Sequence, residues 1–102
     1  MSNPRPTKSA LLIGNCLKDR GIEVIFEHWD GHKHVDIFVP SANLYIEVDG
    51  LQHYISAKHI MSDIERDYWS HKEGFKTFRI PSFVALTNYR SVVIAIEKIV
   101  GY

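Results

Sequence analysis

Cysteine is almost missing from this 102-residue chain, where Cys16 stands alone. One thiol excludes an internal disulfide and any cysteine-rich zinc site. Long hydrophobic runs are missing too, and no stretch approaches the roughly 20 apolar residues that a membrane span requires. Behind the start, Met1-Ser2-Asn3-Pro4-Arg5-Pro6, there is no apolar segment of the signal-peptide kind. The expectation is a cytoplasmic protein without a membrane partner. An excess of either charge is also absent, since 12 basic residues balance 12 acidic ones. Nucleic-acid-binding modules are usually basic, so strong binding by this chain alone is not expected. Neutralising several acids with a bound metal would leave the remaining surface positive.

What is present is enough for one domain and one core, with 45% hydrophobic residues and no repeats or low-complexity tracts. Residues 1–7 read as a flexible tail and residues 8–102 as a single domain. Leu12, Ile13, Cys16 and Leu17 recur at helical spacing between Ser9 and Arg20, and Gly21 ends that pattern. Ile22 to His28 reads as a strand, Asp30-Gly31 as a turn, and His34 to Val39 as the returning strand of a hairpin. Leu44 to Asp49 is a third strand. Ser56 to Glu73 is a helix with Ile60, Ile64 and Tyr68 four apart, followed by a strand from Phe75 to Ile80. Asn88 is placed to cap a last helix that buries Val92, Val93, Ile96, Ile99 and Val100. The order α-β-β-β-α-β-α predicts an α/β (α+β) fold. Its mixed four-stranded sheet would be an antiparallel meander extended by a helical crossover.

Acids stand out on this frame. Alternation along a strand puts Leu44, Ile46 and Val48 on one face and Tyr45, Glu47 and Asp49 on the other. By the same rule Asp36 faces away from Val35, Ile37 and Val39. If the two strands are neighbours, Asp36 approaches Glu47 and Asp49. Carboxylates brought together repel one another unless a cation sits among them, and a hard, oxygen-ligated ion such as Mg²⁺ suits them. Gly50 lets the chain bend, so His53 can return toward the cluster with the chemistry of a general base. Such a group would hydrolyse a phosphodiester. The same pattern also fits a solvated strand face. His28, His32 and His34 around the turn offer a weaker zinc motif. Trp29 at the hairpin tip suits core packing, a dimer contact or stacking on nucleic acid, and Tyr68 with Trp69 suits core or interface.

Asp36, a turn, then Ile46-Glu47-Val48-Asp49-Gly50 with His53 behind it resembles the PD-(D/E)XK nuclease superfamily. The likeness is to its branch related to the very-short-patch-repair (Vsr-like) endonucleases, which includes phage homing endonuclease domains. It continues through Asp63-Ile64-Glu65-Arg66, Gly74 and Phe75-Lys76-Thr77-Phe78-Arg79, and spans roughly residues 23–80. The resemblance implies a restriction-endonuclease-like fold with helices packed on the sheet faces. It makes Asp36, Glu47 and the Val48 carbonyl metal ligands for Mg²⁺, with Mn²⁺ as a substitute. Asp49 stands where the superfamily carries a lysine, so His53 would become the base, oriented by Asp63 or Asp67. The first-helix glutamate of many relatives is missing from Lys8-Ser9-Ala10-Leu11, and Glu27 is a candidate replacement.

The implied activity is a metal-dependent endonuclease on double-stranded DNA, the cleavage module of a homodimer or of a protein with a further DNA-binding domain. Its catalytic candidates are Asp36, Glu47, Asp49, His53 and Asp63. Arg66, Arg79, His32 and Lys33 are the candidate nucleic-acid contacts. Surface ion pairing is the ordinary explanation for Asp63, Arg66 and Asp67 at helical spacing, and a salt bridge is as good an account of Arg79 as phosphate contact. The alternative function is an inactive nuclease-fold module that binds nucleic acid or a protein.

Overall fold

A computed structural model of the chain describes residues 5–51 and 56–101. The first helix, α1 (Lys8–Asp19), begins where the Thr7 side chain accepts the Ala10 N–H. It ends in a Schellman motif: Gly21, at φ +84, donates to the Lys18 carbonyl and Ile22 donates to Leu17. Ile22 therefore belongs to the helix stop and not to a strand. The first strand, β1 (Ile25–Trp29), starts three residues later than expected. Apolar Ile22 and Val24 are buried in the core whether or not they join a ladder.

The hairpin returns through β2 (His34–Val39), a single 3-10 turn (Pro40–Ala42) leads into β3 (Leu44–Asp49), and α2 (Ala57–Lys72) carries the chain to β4 (Lys76–Pro81). Strands lie in the order β1-β2-β3-β4, antiparallel across the first three and parallel between β3 and β4. The meander and helical crossover are thus as expected. The last helix, α3 (Ser82–Val100), differs: it starts directly after Pro81, and Asn88 (φ −137, ψ 30) kinks it where a cap was expected. Val93 and Ile96 are buried, but Ile99 is exposed.

One face of the sheet is the core. Ile37, Val39, Leu44 and Ile46 meet Ala10, Ile13 and Leu17 of α1 and Ala85, Val93 and Ile96 of α3. Gly14 on α1 permits a close approach, because a Cβ there would fall 2.3 Å from the Phe26 ring. On the opposite face α2 behaves unlike an ordinary amphipathic helix. Its one buried residue is Asp63, whereas Ile60, Ile64 and Tyr68, the apolar residues whose spacing marked the helix, are exposed. The helical period was legible, but the covered face is set by charged groups.

Candidate active site

The face away from the core divides into two zones. Toward the start of β3 lies an aromatic stack: His28 on Phe38 at 4.4 Å between ring centroids, Phe38 edge-on to Tyr45, and Tyr45 parallel to Phe75 at 4.7 Å. Toward its end lie the acids. Pairing of Phe26 with Ile37 and His28 with Val35 sets Glu27 across from Asp36. Ile37 pairs with Ile46, so one further step sets Asp36 across from Glu47, and Glu47 is registered with Arg79 of β4. Glu27, Asp36, Glu47 and Arg79 therefore form one row across four strands.

Asp36 and Glu47 meet in that row through a hydrogen bond between their carboxyl groups. The second Asp36 attachment is to the backbone, where Oδ2 accepts the Val48 N–H at 2.7 Å. Burial raises the Asp36 pKa above the ordinary carboxylate value, and the Val48 and Glu47 hydrogen bonds only partly oppose it. Glu47 is raised as well, by burial first and then by Asp36, with Lys33 acting the other way. Glu27 follows them: burial raises it, His34 and Lys33 lower it, and Glu47 adds to the rise.

Glu27 has a φ of +49, a left-handed backbone that side-chain-bearing residues seldom adopt. Across it, Phe26 packs on the core while His28 stacks with Phe38 on the other face, so strand alternation is broken there. Such geometry is unfavourable and collects at functional sites.

A lysine does reach the carboxylates, although position 49 does not supply it. Lys33 Nζ is ion-paired and hydrogen-bonded to Glu47 Oε1. Sequence reasoning had placed Lys33 among the nucleic-acid contacts. Only the hairpin geometry shows its partner: Asp30 Oδ1 accepts the N–H groups of both His32 and Lys33 at 2.8 Å and fixes that turn.

Asp49 belongs to a different group. Arg79 Nη1 bonds its Oδ2 at 3.1 Å, Arg79 Nε and Nη2 bond Asp67 at 3.0 and 2.7 Å, and Nη1 lies 3.6 Å from Asp63. Arg66 pairs with Asp63 in turn. Burial acts to lower the Arg79 pKa, but its bonds to Asp67 and Asp49 prevail and raise it. Arg79 is thus engaged by protein carboxylates, the salt-bridge account that its sequence position also allowed. Asp49 and Asp63, both expected at the reacting centre, tie β3 and α2 to this guanidinium. His53 lies outside the described residues.

Among the described residues no three His, Cys, Asp or Glu side chains are arranged to hold a metal ion by themselves. The zinc motif has no support, since His28 stacks on Phe38 and His34 lies against Trp29. Magnesium asks for less, because it binds commonly through one or two carboxylates and completes its shell with water and substrate phosphate. The hydrogen-bonded Asp36–Glu47 pair offers hard oxygens of that kind. A cavity of about 650 Å³ opens between the hairpin tip and α2, bordered by Lys33, His32 and Arg66 but also by Asp30, Glu65 and Glu73.

No family model matches the chain, and no curated protein matches it in sequence. A solved structure does: the catalytic domain of the homing endonuclease I-Bth0305I superposes with a TM-score of 0.73. The match covers 91% of this chain and 93% of that one at 20% sequence identity. The chain therefore has the fold of that nuclease domain, a restriction-endonuclease-like mixed sheet with flanking helices. Among the described residues no helix is long and apolar enough to cross a membrane.

Proposed function

We propose that this chain is the cleavage domain of a divalent-metal-dependent DNA endonuclease of the Vsr-like branch. The observation that carries the reading is the carboxyl pair of half-buried Asp36 and buried Glu47, set on the polar face of a nuclease-type sheet. Asp36, Glu47 and the Val48 carbonyl would hold Mg²⁺ or Mn²⁺. Bound there, the ion would polarise a phosphoryl oxygen and offset charge gathering in the transition state.

The residues themselves divide the work. The Val48 N–H fixes the Asp36 carboxylate. Asp49, Asp63 and Asp67 hold Arg79, which locks β3, α2 and β4 together behind the site. His53 would take the proton from the attacking water. His32, Lys33 and Arg66 border the nearby cavity together with Asp30, Glu65 and Glu73, and these three basic side chains would meet the phosphates of a DNA backbone. Cytoplasmic double-stranded DNA is the proposed substrate, and one site per chain implies a second copy or a further domain for a double-strand break.

Plasmid cleavage with added Mg²⁺ or Mn²⁺ tests this. Wild-type protein is expected to nick or linearise DNA. Asp36→Ala should lose about a thousandfold in rate with unchanged circular dichroism, and His53→Ala about 10²–10⁴-fold. A protein that retards DNA in a gel but never cuts it at any metal concentration is a binding module instead.

A further inference from the structure

We infer that Lys33 is a built-in competitor of the divalent cation, holding Glu47 until metal arrives and then turning to the scissile phosphate. The inference rests on the metal site proposed above. Its own observation is independent of that site: the Lys33 ammonium is bonded to a carboxyl oxygen of the Asp36–Glu47 pair. The pairing is no loose surface contact, because the side chains are only 23% and 10% exposed. Nor is the lysine there by chance of a long flexible loop. Asp30 Oδ1 holds the His32 and Lys33 backbone, and the Asp30 N–H donates to the Lys33 carbonyl at 3.0 Å, so the side chain leaves from a fixed point.

Two cations cannot share this place comfortably. An ammonium and a divalent ion on the same carboxyl group would stand a few ångströms apart in a partly buried site, where like charges repel strongly. Metal entry therefore favours release of Lys33. Its four-carbon stem is flexible and its charge compact. It also borders the cavity between the hairpin tip and α2, so a swing of the side chain would take the ammonium from Glu47 into that space. A phosphate held there would compete for the ammonium with Asp30, Glu65 and Glu73, which border the same cavity. Lys33 would then touch the reacting group only in the metal-loaded state, linking cation binding to substrate engagement.

Calorimetric titration of Mn²⁺ into the full chain, wild type against Lys33→Met and Lys33→Arg, is the test, with plasmid cleavage measured alongside. Met keeps the stem and removes the charge, and thermal melting verifies that each variant folds. Lys33→Met is expected to bind Mn²⁺ about tenfold more tightly yet cleave about a hundredfold more slowly. Lys33→Arg should keep near-wild-type Mn²⁺ affinity. Equal Mn²⁺ affinity in wild type and Lys33→Met overturns the inference while leaving the proposed nuclease intact. Absence of Mn²⁺ binding in all three proteins overturns both together. Tighter binding with undiminished cleavage also overturns it, because Lys33 would then be a competitor without a role in catalysis.

Discussion

Two groups of acids share the polar face of this sheet, and they are compensated in different ways. Around Arg79, three aspartates (Asp49, Asp63 and Asp67) meet two guanidinium groups, Arg66 and Arg79. Around Asp36, three acids (Glu27, Asp36 and Glu47) meet one ammonium, Lys33. Formal charge is thus −1 in the first group and −2 in the second. Arg79 is raised by its aspartates, whereas all three acids of the second group are raised by burial. The protein completes the first cluster from its own side chains and leaves the second short of positive charge. That deficit, beside a strained backbone at Glu27, is what the proposed divalent cation would offset.

Breaking the completed cluster should give the largest change in stability. Arg79→Met strips three aspartates of their shared partner and leaves buried Asp49 uncompensated. It should destabilise the fold by about 3 kcal/mol, the low end for a broken buried pair because Asp67 remains partly exposed. Denaturant unfolding at neutral pH measures it. If Arg79 were a free phosphate contact, the same substitution would leave the unfolding midpoint unchanged.

Relieving the incomplete cluster should act in the opposite direction and less strongly. Carboxyls whose folded-state pKa lies above the unfolded value weaken the fold when ionised. Asp36→Asn, which removes one of those charges, is expected to stabilise the chain by about 1 kcal/mol at neutral pH. That advantage should fade as pH falls through the raised folded-state values, since the wild-type pair is then protonated too. Thermal melts of both proteins across acid to neutral pH trace the difference. A constant gain at every pH would show that the charge of Asp36 is not its source.

Much of this arrangement was legible in the residues. The 3.6 period of α1, its stop at Gly21, the Asp30-Gly31 turn and the alternation of β2 and β3 foretold the frame. Alternation also put Asp36 and Glu47 on one face, and their hydrogen bond accords with it. Other features depend on information that no local pattern carries. Periodicity reveals that α2 has an apolar stripe of Ile60, Ile64 and Tyr68, but not that the opposite stripe would be drawn inward by Arg79. Arg79 meets Asp49 only through the parallel register of strands 30 residues apart in sequence. Lys33 finds Glu47 across a hairpin whose exact aim is set by the Asp30 carboxylate. An isolated Asn88 reads as a cap equally well in a kinked helix, because both need one residue outside helical geometry.

The account depends most directly on Asp36 and Glu47 acting as one cation site. Calorimetric titration of Mn²⁺ into wild type and Glu47→Gln, in two mildly acidic buffers of different ionisation enthalpy, addresses that claim. Burial favours the protonated form of both acids, so metal binding in mildly acidic buffer is expected to release protons. Wild type is expected to show saturable binding with heats that differ between buffers, and Glu47→Gln to lose it. Buffer-independent heats, or equal binding by Glu47→Gln, would contradict the account.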